Sequence, residues 1–293
     1  MFLICWVVAP AQTASPSPTP AAASPASDIF IIDVRSHNGQ LKFGAPKKIT
    51  DVVAYNNQPS FMPDGQSILY TSIRDKQADI HRYDLHSGAT TQITKTPESE
   101  YSPTLMPDGK SISVVRVEAD NTQRLWKFPL ADGAPPSLIL EKIKPVGYHL
   151  WIDDHTLALF ILGKPNTLQI VDTRTEKAET ITENPGRILR RIPRQNKFSF
   201  VHKISDREWA IKAFDLRTRT SASLITTLPG VEDYAWLPSG MLLMARDSKL
   251  FAVVPLNGKT WSEVADFSAP GLKGMTRIAV NAKGDRIAVV ARH

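Results

Sequence analysis

The sequence predicts an all-β fold, a six-bladed β-propeller with four antiparallel strands in each blade. Two observations predict it: strand-and-turn landmarks recur in phase along the chain, and the two chain ends carry complementary halves of one repeat. The repeating unit is clearest over 58–94, where four short strand patterns alternate with polar turns. One such sheet cannot bury its own faces, so it needs copies stacked on both sides.

Each strand of this unit has a local signature. An inner strand ends at Phe61, and the MPDG sequence over 62–65 forms a tight turn, because proline presets φ and glycine supplies a positive φ. The second strand follows over 67–72. The third, over 78–85, alternates apolar and polar residues as a strand with one solvated face does, and a further turn leads into a short fourth strand.

The unit recurs at a spacing of about 40 to 46 residues, close to the period of a four-stranded propeller blade. Copies of the first turn stand at 107–109, 153–155, 193–196, 238–240 and 282–284. Copies of the third strand stand at 123–130, 167–173, 209–216 and 249–256, and copies of the fourth at 137–140, 179–182, 223–226 and 262–265. We expect a positive φ at four turn glycines, namely Gly65, Gly109, Gly240 and Gly284.

The chain ends complete the count. Residues 28–34 match a third strand and 47–50 a fourth, with no first or second strand before them. Residues 278–280 and 286–290 have the pattern of a first and a second strand, with nothing after them. Joining the ends completes the sixth blade and leaves no open sheet edge at the seam.

The unit QPSFMPDGQSILYTS…ADIHRYDLHSGATTQIT resembles the WD40-like Pro-Asp (PD40) repeat of TolB-type six-bladed propellers. The match is close at 63–65, 83–88 and 107–109, and it is degraded at 153–155 and 193–196. The resemblance covers about 28–293 and implies the fold, whereas propellers host unrelated activities on one scaffold. It does not include the N-terminal α/β domain of TolB, so TolB's own role and partner are not carried over.

The chain has 293 residues, of which 42% are hydrophobic, and a formal net charge of +6. We expect one propeller domain over 28–293, preceded by a signal peptide remnant over 1–11 and a Pro/Ser/Thr/Ala-rich linker over 12–27. The apolar run in the leader is far too short to span a bilayer. It contains Cys5, the single cysteine, so the mature domain has neither disulfides nor thiolate chemistry.

The sequence carries no Gly-x-Ser-x-Gly, His-Glu-x-x-His, Gly-x-Gly-x-x-Gly or phosphate-loop motif. We therefore expect no catalytic, cofactor-binding or metal-binding residues. One cluster has ligand-type side chains, namely His149, Asp153, Asp154 and His155. It is either a cation or acid/base site, or the inter-strand turn of a drifted repeat, and the repeat period favours the turn.

A basic cluster is either an anion site at the channel mouth or a solvated rim, and the solvated rim is the favoured interpretation. Its members are Arg187, Arg190, Arg191, Arg194, Lys197, Lys203 and Arg207. Arg191 stands in a position that apolar residues fill in other repeats, so its blade is either distorted or functional.

Topology gives the candidate ligand-binding face, because the loops entering the inner strands open on one end of a propeller. The predicted face consists of Gln58, Tyr101, Tyr148, His149, Arg190, Tyr234 and Arg277, an aromatic and polar set typical of protein-binding surfaces. The favoured function is a non-catalytic binding or scaffold propeller of the bacterial cell envelope. The alternative is a small envelope lyase or hydrolase with its site at the channel mouth.

We expect a periplasmic or secreted, monomeric protein. Its partner is expected to be an envelope protein or an anionic envelope component. The modest charge, without a long run of like charges, argues against a nucleic-acid tail, and no membrane span is expected.

Overall fold

The computed structural model describes residues 25–131, 133–255, 258 and 260–292. The regular secondary structure in these residues consists of β-strands, so the all-β prediction is confirmed. Within the same residues no helix is long and apolar enough to span a bilayer. The expected signal peptide and all but 25–27 of the expected linker lie outside the described residues, and the first strand begins at Ser27.

The strands are numbered in chain order. The first three are β1 (Ser27–His37), β2 (Gln40–Phe43) and β3 (Lys47–Lys48). Two meanders follow: β4 (Tyr55–Phe61), β5 (Ser67–Arg74), β6 (Gln77–Asp84) and β7 (Thr90–Gln92), then β8 (Ser99–Leu105), β9 (Ser111–Val117), β10 (Gln123–Pro129) and β11 (Ser137–Leu138). In each meander neighbouring strands pair antiparallel.

Three further meanders have the same order. They are β12 (Val146–Trp151), β13 (Thr156–Ile161), β14 (Thr167–Asp172) and β15 (Ala178–Glu183), then β16 (Pro185–Arg191), β17 (Lys197–Lys203), β18 (Trp209–Asp215) and β19 (Thr220–Thr226), then β20 (Tyr234–Trp236), β21 (Leu242–Arg246), β22 (Lys249–Val253) and β23 (Ser262–Asp266). The last strands are β24 (Thr276–Val280) and β25 (Arg286–Arg292). Each sheet is named below after its first strand.

The two chain ends share a sheet. Strand β25 pairs antiparallel with β1 along its whole length, from the Ser27–Arg292 pair to the Asp33–Arg286 pair. Strand β24 pairs with β25, and β3 pairs with β1, which gives the strand order β24-β25-β1-β3. One parallel bridge from Ser27 to Tyr55 also joins β1 to the β4 sheet.

The terminal sheet contains one feature that the repeat did not predict. Strand β1 continues past the expected third strand to His37 and folds back as a hairpin with β2. Asn38 and Gly39 make the turn with positive φ values of 49° and 77°. Residues of this kind at both turn positions are typical of a tight β-hairpin, because they tolerate positive φ.

The turn glycines have the expected backbone. Gly65 and Gly109 have φ values of 66° and 65°, and each N–H donates to the carbonyl oxygen three residues earlier, at 2.9 and 3.0 Å. Gly240 and Gly284 have φ values of 88° and 74°. The recurring turn therefore needs a left-handed residue at one position, and glycine adopts that conformation without a steric cost.

Apolar clusters fill the gaps between neighbouring sheets. Leu69 and Ile112, for example, belong to the cluster between the β4 and β8 sheets. Ile287 lies with Leu250 in the cluster between the β20 and β24 sheets, and Val290 lies in the cluster between the β24 and β4 sheets. Second strands such as β5 and β9 are buried on both faces because each sheet packs on two others.

Candidate functional site

The first strands of the sheets are irregular where they approach one another. In β4 and β8 the pairing register shifts beside Gln58 and Ser102, which have left-handed φ values of 57° and 56°. A proline follows each of them, and it has no N–H to donate to the neighbouring strand, so pairing is interrupted there. Arg277, with a φ of 24°, lies at the corresponding shift in β24.

These irregular segments enclose a cavity of about 90 Å³, here called the central cavity. First strands of five sheets line it, at 58–60, 102–104, 148–149, 187–190 and 277–278. The charged side chains in its lining are all arginines, namely Arg187, Arg190 and Arg277.

The structure brings together five of the seven residues expected on the ligand-binding face. Those that line the central cavity are Gln58, Tyr148, His149, Arg190 and Arg277. Sequence reasoning had treated Arg187 only as a member of the basic cluster, yet it lies among them. The convergence is geometric, and a role in binding stays a prediction.

Two larger pockets adjoin the central cavity and share residues with it. One, of about 350 Å³, contains Tyr55 and Tyr101 and shares Tyr148 with the cavity. The other, of about 560 Å³, contains Trp209 and shares both Tyr148 and Arg187. We call these aromatic residues, Tyr55, Tyr101, Tyr148 and Trp209, the aromatic mouth.

Two members of the aromatic mouth were missed in the sequence. The candidates were sought just before the predicted inner strands, whereas Tyr55 is the first residue of the observed β4 and Trp209 is the first residue of a third strand. An alignment of the repeats by their strand starts, rather than by their turns, would have drawn attention to both.

Tyr234 does not lie on this face, which corrects the sequence-based expectation. Its side chain is fully buried between the β16 and β20 sheets, and its hydroxyl donates to Ser199 Oγ at 2.8 Å. Burial raises the pKa of Tyr234, so the hydroxyl stays protonated. The error lies in the alignment of the repeats. Counted back from the turn that follows each first strand, the residue equivalent to Gln58 of β4 is Asp233, which precedes Tyr234 by one residue.

Two carboxylates hold the arginines at one side of the cavity. Arg187 Nη1 lies 3.0 Å from Glu232 Oε1, and Arg187 Nη2 forms a second ion pair with Asp233. Arg277 Nε lies 3.6 Å from Asp233 Oδ1. Burial lowers the pKa of Arg187, but the Asp233 and Glu232 carboxylates outweigh that effect and raise it above its ordinary value. Arg187 is therefore a firmly held cation.

Arg277 also positions Tyr148. Its Nη2 atom donates to the Tyr148 hydroxyl at 3.0 Å, and its guanidinium carbon lies 5.1 Å from the centroid of the same ring. The ring meets Phe160 edge to face, with 5.8 Å between centroids. These contacts fix Tyr148 at the boundary between the central cavity and the aromatic mouth.

Arg190 is held differently from the other two arginines. Its Nη1 donates to the Leu189 carbonyl oxygen at 3.3 Å and its Nη2 to the Ile278 carbonyl oxygen at 3.4 Å, both long hydrogen bonds. No carboxylate among the described residues forms an ion pair with it. Burial lowers the pKa of Arg190, although a guanidinium stays charged in proteins.

His149 faces the cavity on one side and the β8 sheet on the other. Its Nε2 atom lies 2.7 Å from Ser113 Oγ, and Trp151 Nε1 donates to the same oxygen at 2.9 Å. Burial lowers the pKa of His149 to about 3, so the ring is neutral at ordinary pH. Its Nδ1 atom is buried and has no hydrogen-bond partner among the described residues.

The acidic residues after His149 form a turn. Asp153 Oδ1 accepts hydrogen bonds from the backbone N–H groups of His155 at 2.9 Å and Thr156 at 2.8 Å. The same hydrogen bonds lower the pKa of the Asp153 carboxyl, against the opposing effect of burial. Among the residues that the structure describes, no three His, Cys, Asp or Glu side chains group as metal ligands would.

Part of the basic cluster reaches the cavity. Arg187 and Arg190 line it, whereas Lys203 pairs with Glu232 at 3.0 Å beside the aromatic mouth. Lys197 pairs with Asp215 at 3.2 Å at the far end of β17. The three remaining members are exposed at the surface, namely Arg191, Arg194 and Arg207.

The recurring four-stranded sheets have the fold of a TolB-type β-propeller. The family described as the TolB beta propeller domain (PD40) matches residues 20–134. No curated protein matches the chain by sequence. The chain has a TolB-type propeller fold, and the PD40 match over 20–134 agrees with the resemblance of its repeats.

Solved structures with a similar fold include TolB proteins and an enzyme. The putative TolB from Agrobacterium tumefaciens has a TM-score of 0.66 at 15% identity, over 92% of this chain and 99% of that one. TolB from Acinetobacter baumannii has a TM-score of 0.56 at 14% identity, over 91% and 64%. An oligogalacturonate lyase in complex with manganese has a TM-score of 0.51 at 13% identity, over 92% and 98%. At these identities the likeness shows the fold alone.

Proposed function

We propose that this protein is a non-catalytic binding propeller of the bacterial cell envelope. It is periplasmic or secreted, its residues 28–293 form one monomeric six-bladed propeller, and it holds a protein or an anionic envelope component at the aromatic mouth. The observation that carries the proposal is the adjacency of four aromatic side chains to a cavity lined by three arginines. Aromatic residues and arginine are the residue types most enriched at binding hot spots.

Six blades closed by the two chain ends would hold this site rigidly. Support comes from the β1–β25 pairing and from the clusters that the terminal sheet forms with both the β20 and the β4 sheets. Strand β24 also contacts both β20 and β4, the first strands on either side of it. A scaffold of this kind presents its loops with little loss of conformational freedom on binding.

A capture experiment tests the proposal. Immobilised protein is incubated with an envelope extract, and the retained molecules are identified by mass spectrometry and compared between variants. Tyr101→Ala together with Trp209→Ala should lower retention of the specific partner at least tenfold, because two aromatic anchors commonly contribute a few kcal/mol each, roughly 2 or more. The matched control is Arg217→Gln, at an exposed turn after β18.

A small lyase or hydrolase is the second candidate. The structural similarity to an oligogalacturonate lyase with manganese favours it, and His149 would be its central residue. The neutral His149 ring, hydrogen-bonded to Ser113, offers a weak base at neutral pH. Metal analysis of the purified protein discriminates between the two candidates, because a cation bound in stoichiometric amount would favour the enzyme. In the capture experiment, equal retention of the partner by the wild type and the Tyr101 and Trp209 double variant would contradict the binding proposal.

A further inference from the structure

The central cavity has an excess of positive charge. Arg187 and Arg277 share Asp233, and Glu232 is shared between Arg187 and Lys203. Both carboxylates are therefore already engaged by other cations. Arg190 has only backbone carbonyl oxygens as hydrogen-bond partners and forms no ion pair with a described carboxylate, although Asp233 attracts it at longer range. A partly buried charge without a paired counter-ion is unfavourable, which makes this position suitable for an anion.

Several residues that line the cavity also contain buried polar atoms without partners. Ser102 Oγ, Arg187 Nε and His149 Nδ1 are buried, and none of them has a hydrogen-bond partner among the described residues. All three residues line the central cavity with Arg190. Ser102 and Arg187 are donors, and His149 Nδ1 becomes a donor in the tautomer whose Nε2 accepts from the Ser113 hydroxyl.

The size of the cavity limits what can enter. Its volume of about 90 Å³ is smaller than the volumes of about 350 and 560 Å³ of the two pockets that adjoin it. A carboxylate or a phosphate is a small polar group that suits a space of this kind. A larger ligand can place an anionic end there and its body in the aromatic mouth, where Tyr148 lies between the two spaces.

We propose that the central cavity binds a single oxyanion group, a carboxylate or a phosphate, with Arg190 as its main counter-ion and Ser102 and Arg187 as hydrogen-bond donors. The inference rests on the proposed function and deepens it, since it names the chemical group of the partner that the cavity recognises. Charge-assisted hydrogen bonds from a guanidinium are among the strongest contacts that a carboxylate or a phosphate makes.

The proposal separates Arg190 from Arg187 and Arg277. Glu232 and Asp233 already neutralise the latter two, and Arg277 also fixes Tyr148, so replacing either would disturb the scaffold. Replacing Arg190 by glutamine removes a partly buried charge that no ion pair neutralises, and it keeps a polar side chain. We therefore expect Arg190→Gln to keep or raise the melting temperature in the absence of oxyanions.

The test uses the full chain and measures thermal unfolding in acetate, phosphate or chloride at one pH and one ionic strength. At about tenfold excess over Kd, acetate or phosphate should raise the melting temperature of the wild type by about 2 to 4 °C relative to chloride. The rise should disappear in Arg190→Gln and persist in the surface control Arg217→Gln. Separate acetate and phosphate series show which of the two groups the cavity prefers.

Two outcomes overturn the oxyanion site. If neither anion raises the wild-type melting temperature above the chloride reference, the cavity holds water only. If both anions act equally on the wild type and on Arg190→Gln, they bind elsewhere. In either case, the proposed function would still stand if the Tyr101 and Trp209 double variant lost partner capture. Conversely, if the oxyanions raise the melting temperature as expected but the double variant captures the partner as well as the wild type does, only the proposed function is contradicted.

Discussion

His149 and Tyr234 hold equivalent positions in two repeats, and each is hydrogen-bonded to a buried serine of the preceding sheet. His149 Nε2 lies 2.7 Å from Ser113 Oγ, and the Tyr234 hydroxyl lies 2.8 Å from Ser199 Oγ. In both repeats the tryptophan two residues further along donates to the same serine oxygen. Two residues that the sequence placed together at the channel mouth thus tie neighbouring sheets to each other.

Replacing Tyr234 should therefore affect stability. Tyr234→Phe removes a buried hydrogen bond to Ser199 and should lower the free energy of unfolding by about 1 kcal/mol. Ser199→Ala leaves both Tyr234 and Trp236 without this acceptor and should cost more, about 2 to 3 kcal/mol. Urea unfolding of the two variants and of the double variant measures both effects. Additive losses would contradict the shared contact, because coupled residues give non-additive losses.

The buried ring of His149 predicts a dependence of stability on pH. Its pKa of about 3 in the folded protein lies below the ordinary value of 6.5, so the unfolded chain binds the proton more readily. The contribution of His149 is complete above about pH 6.5 and is lost as the pH falls towards 3. His149→Gln should therefore lose less stability than the wild type between pH 7 and pH 5.

The prediction compares wild type with His149→Gln because the Glu100 carboxyl changes the stability in the opposite direction over the same pH range. Burial raises the pKa of the Glu100 carboxyl from 4.5 to about 7, so its contribution is complete below about pH 4.5 and declines as the pH rises through 7. Wild type and His149→Gln share this contribution of Glu100, so it cancels in the comparison. Parallel stability curves for the two proteins between pH 7 and pH 5 would show that His149 is not buried as described.

The sequence was informative about the fold because the repeat is a property of many residues at once. The phase of the turns and third strands predicted the sheets, and it predicted that residues near 278–290 would pair with those near 28–34. An inserted hairpin such as β1–β2 leaves the recurring turns and strands in phase, so the repeat period could not reveal it. The repeat thus predicts pairing well and insertions poorly.

The site was harder to predict because it depends on single-residue register. In a strand, a shift of one residue exchanges a cavity-facing side chain for one that faces the neighbouring sheet. Tyr234 lies one residue after the position equivalent to Gln58 and is fully buried against Ser199. His149 has the same position as Tyr234, but it contacts Ser113 and also lines the central cavity. The irregular backbone at Gln58 and Ser102 adds to the difficulty, since the positive φ there is not evident from the residue types.

Two turn glycines make a matched pair. Gly109 and Gly284 both have positive φ, but a Cβ on Gly109 would meet nothing within 4 Å, whereas one on Gly284 would lie 2.6 Å from Pro238 Cδ. Gly109→Ala should cost about 1 kcal/mol through backbone strain alone. Gly284→Ala should cost a further 1 to 3 kcal/mol, roughly, because the proline ring belongs to the neighbouring sheet and must move. Equal losses in chemical unfolding would argue against this contact.

The pairing of the chain ends gives the last prediction. Deleting 278–293 removes β25 and most of β24, which exposes the edge of β1 along its length and uncovers the clusters that face the β20 and β4 sheets. An unpaired, apolar edge strand promotes aggregation, and the loss of a whole inter-sheet contact should abolish cooperative unfolding. Size-exclusion chromatography and calorimetry measure the two effects. Deleting 25–26, which precede the first strand, is the control and should change neither. If the chain without 278–293 stays monomeric and melts as sharply as the full chain, the terminal strands do not complete a blade, and the six-bladed arrangement must be abandoned.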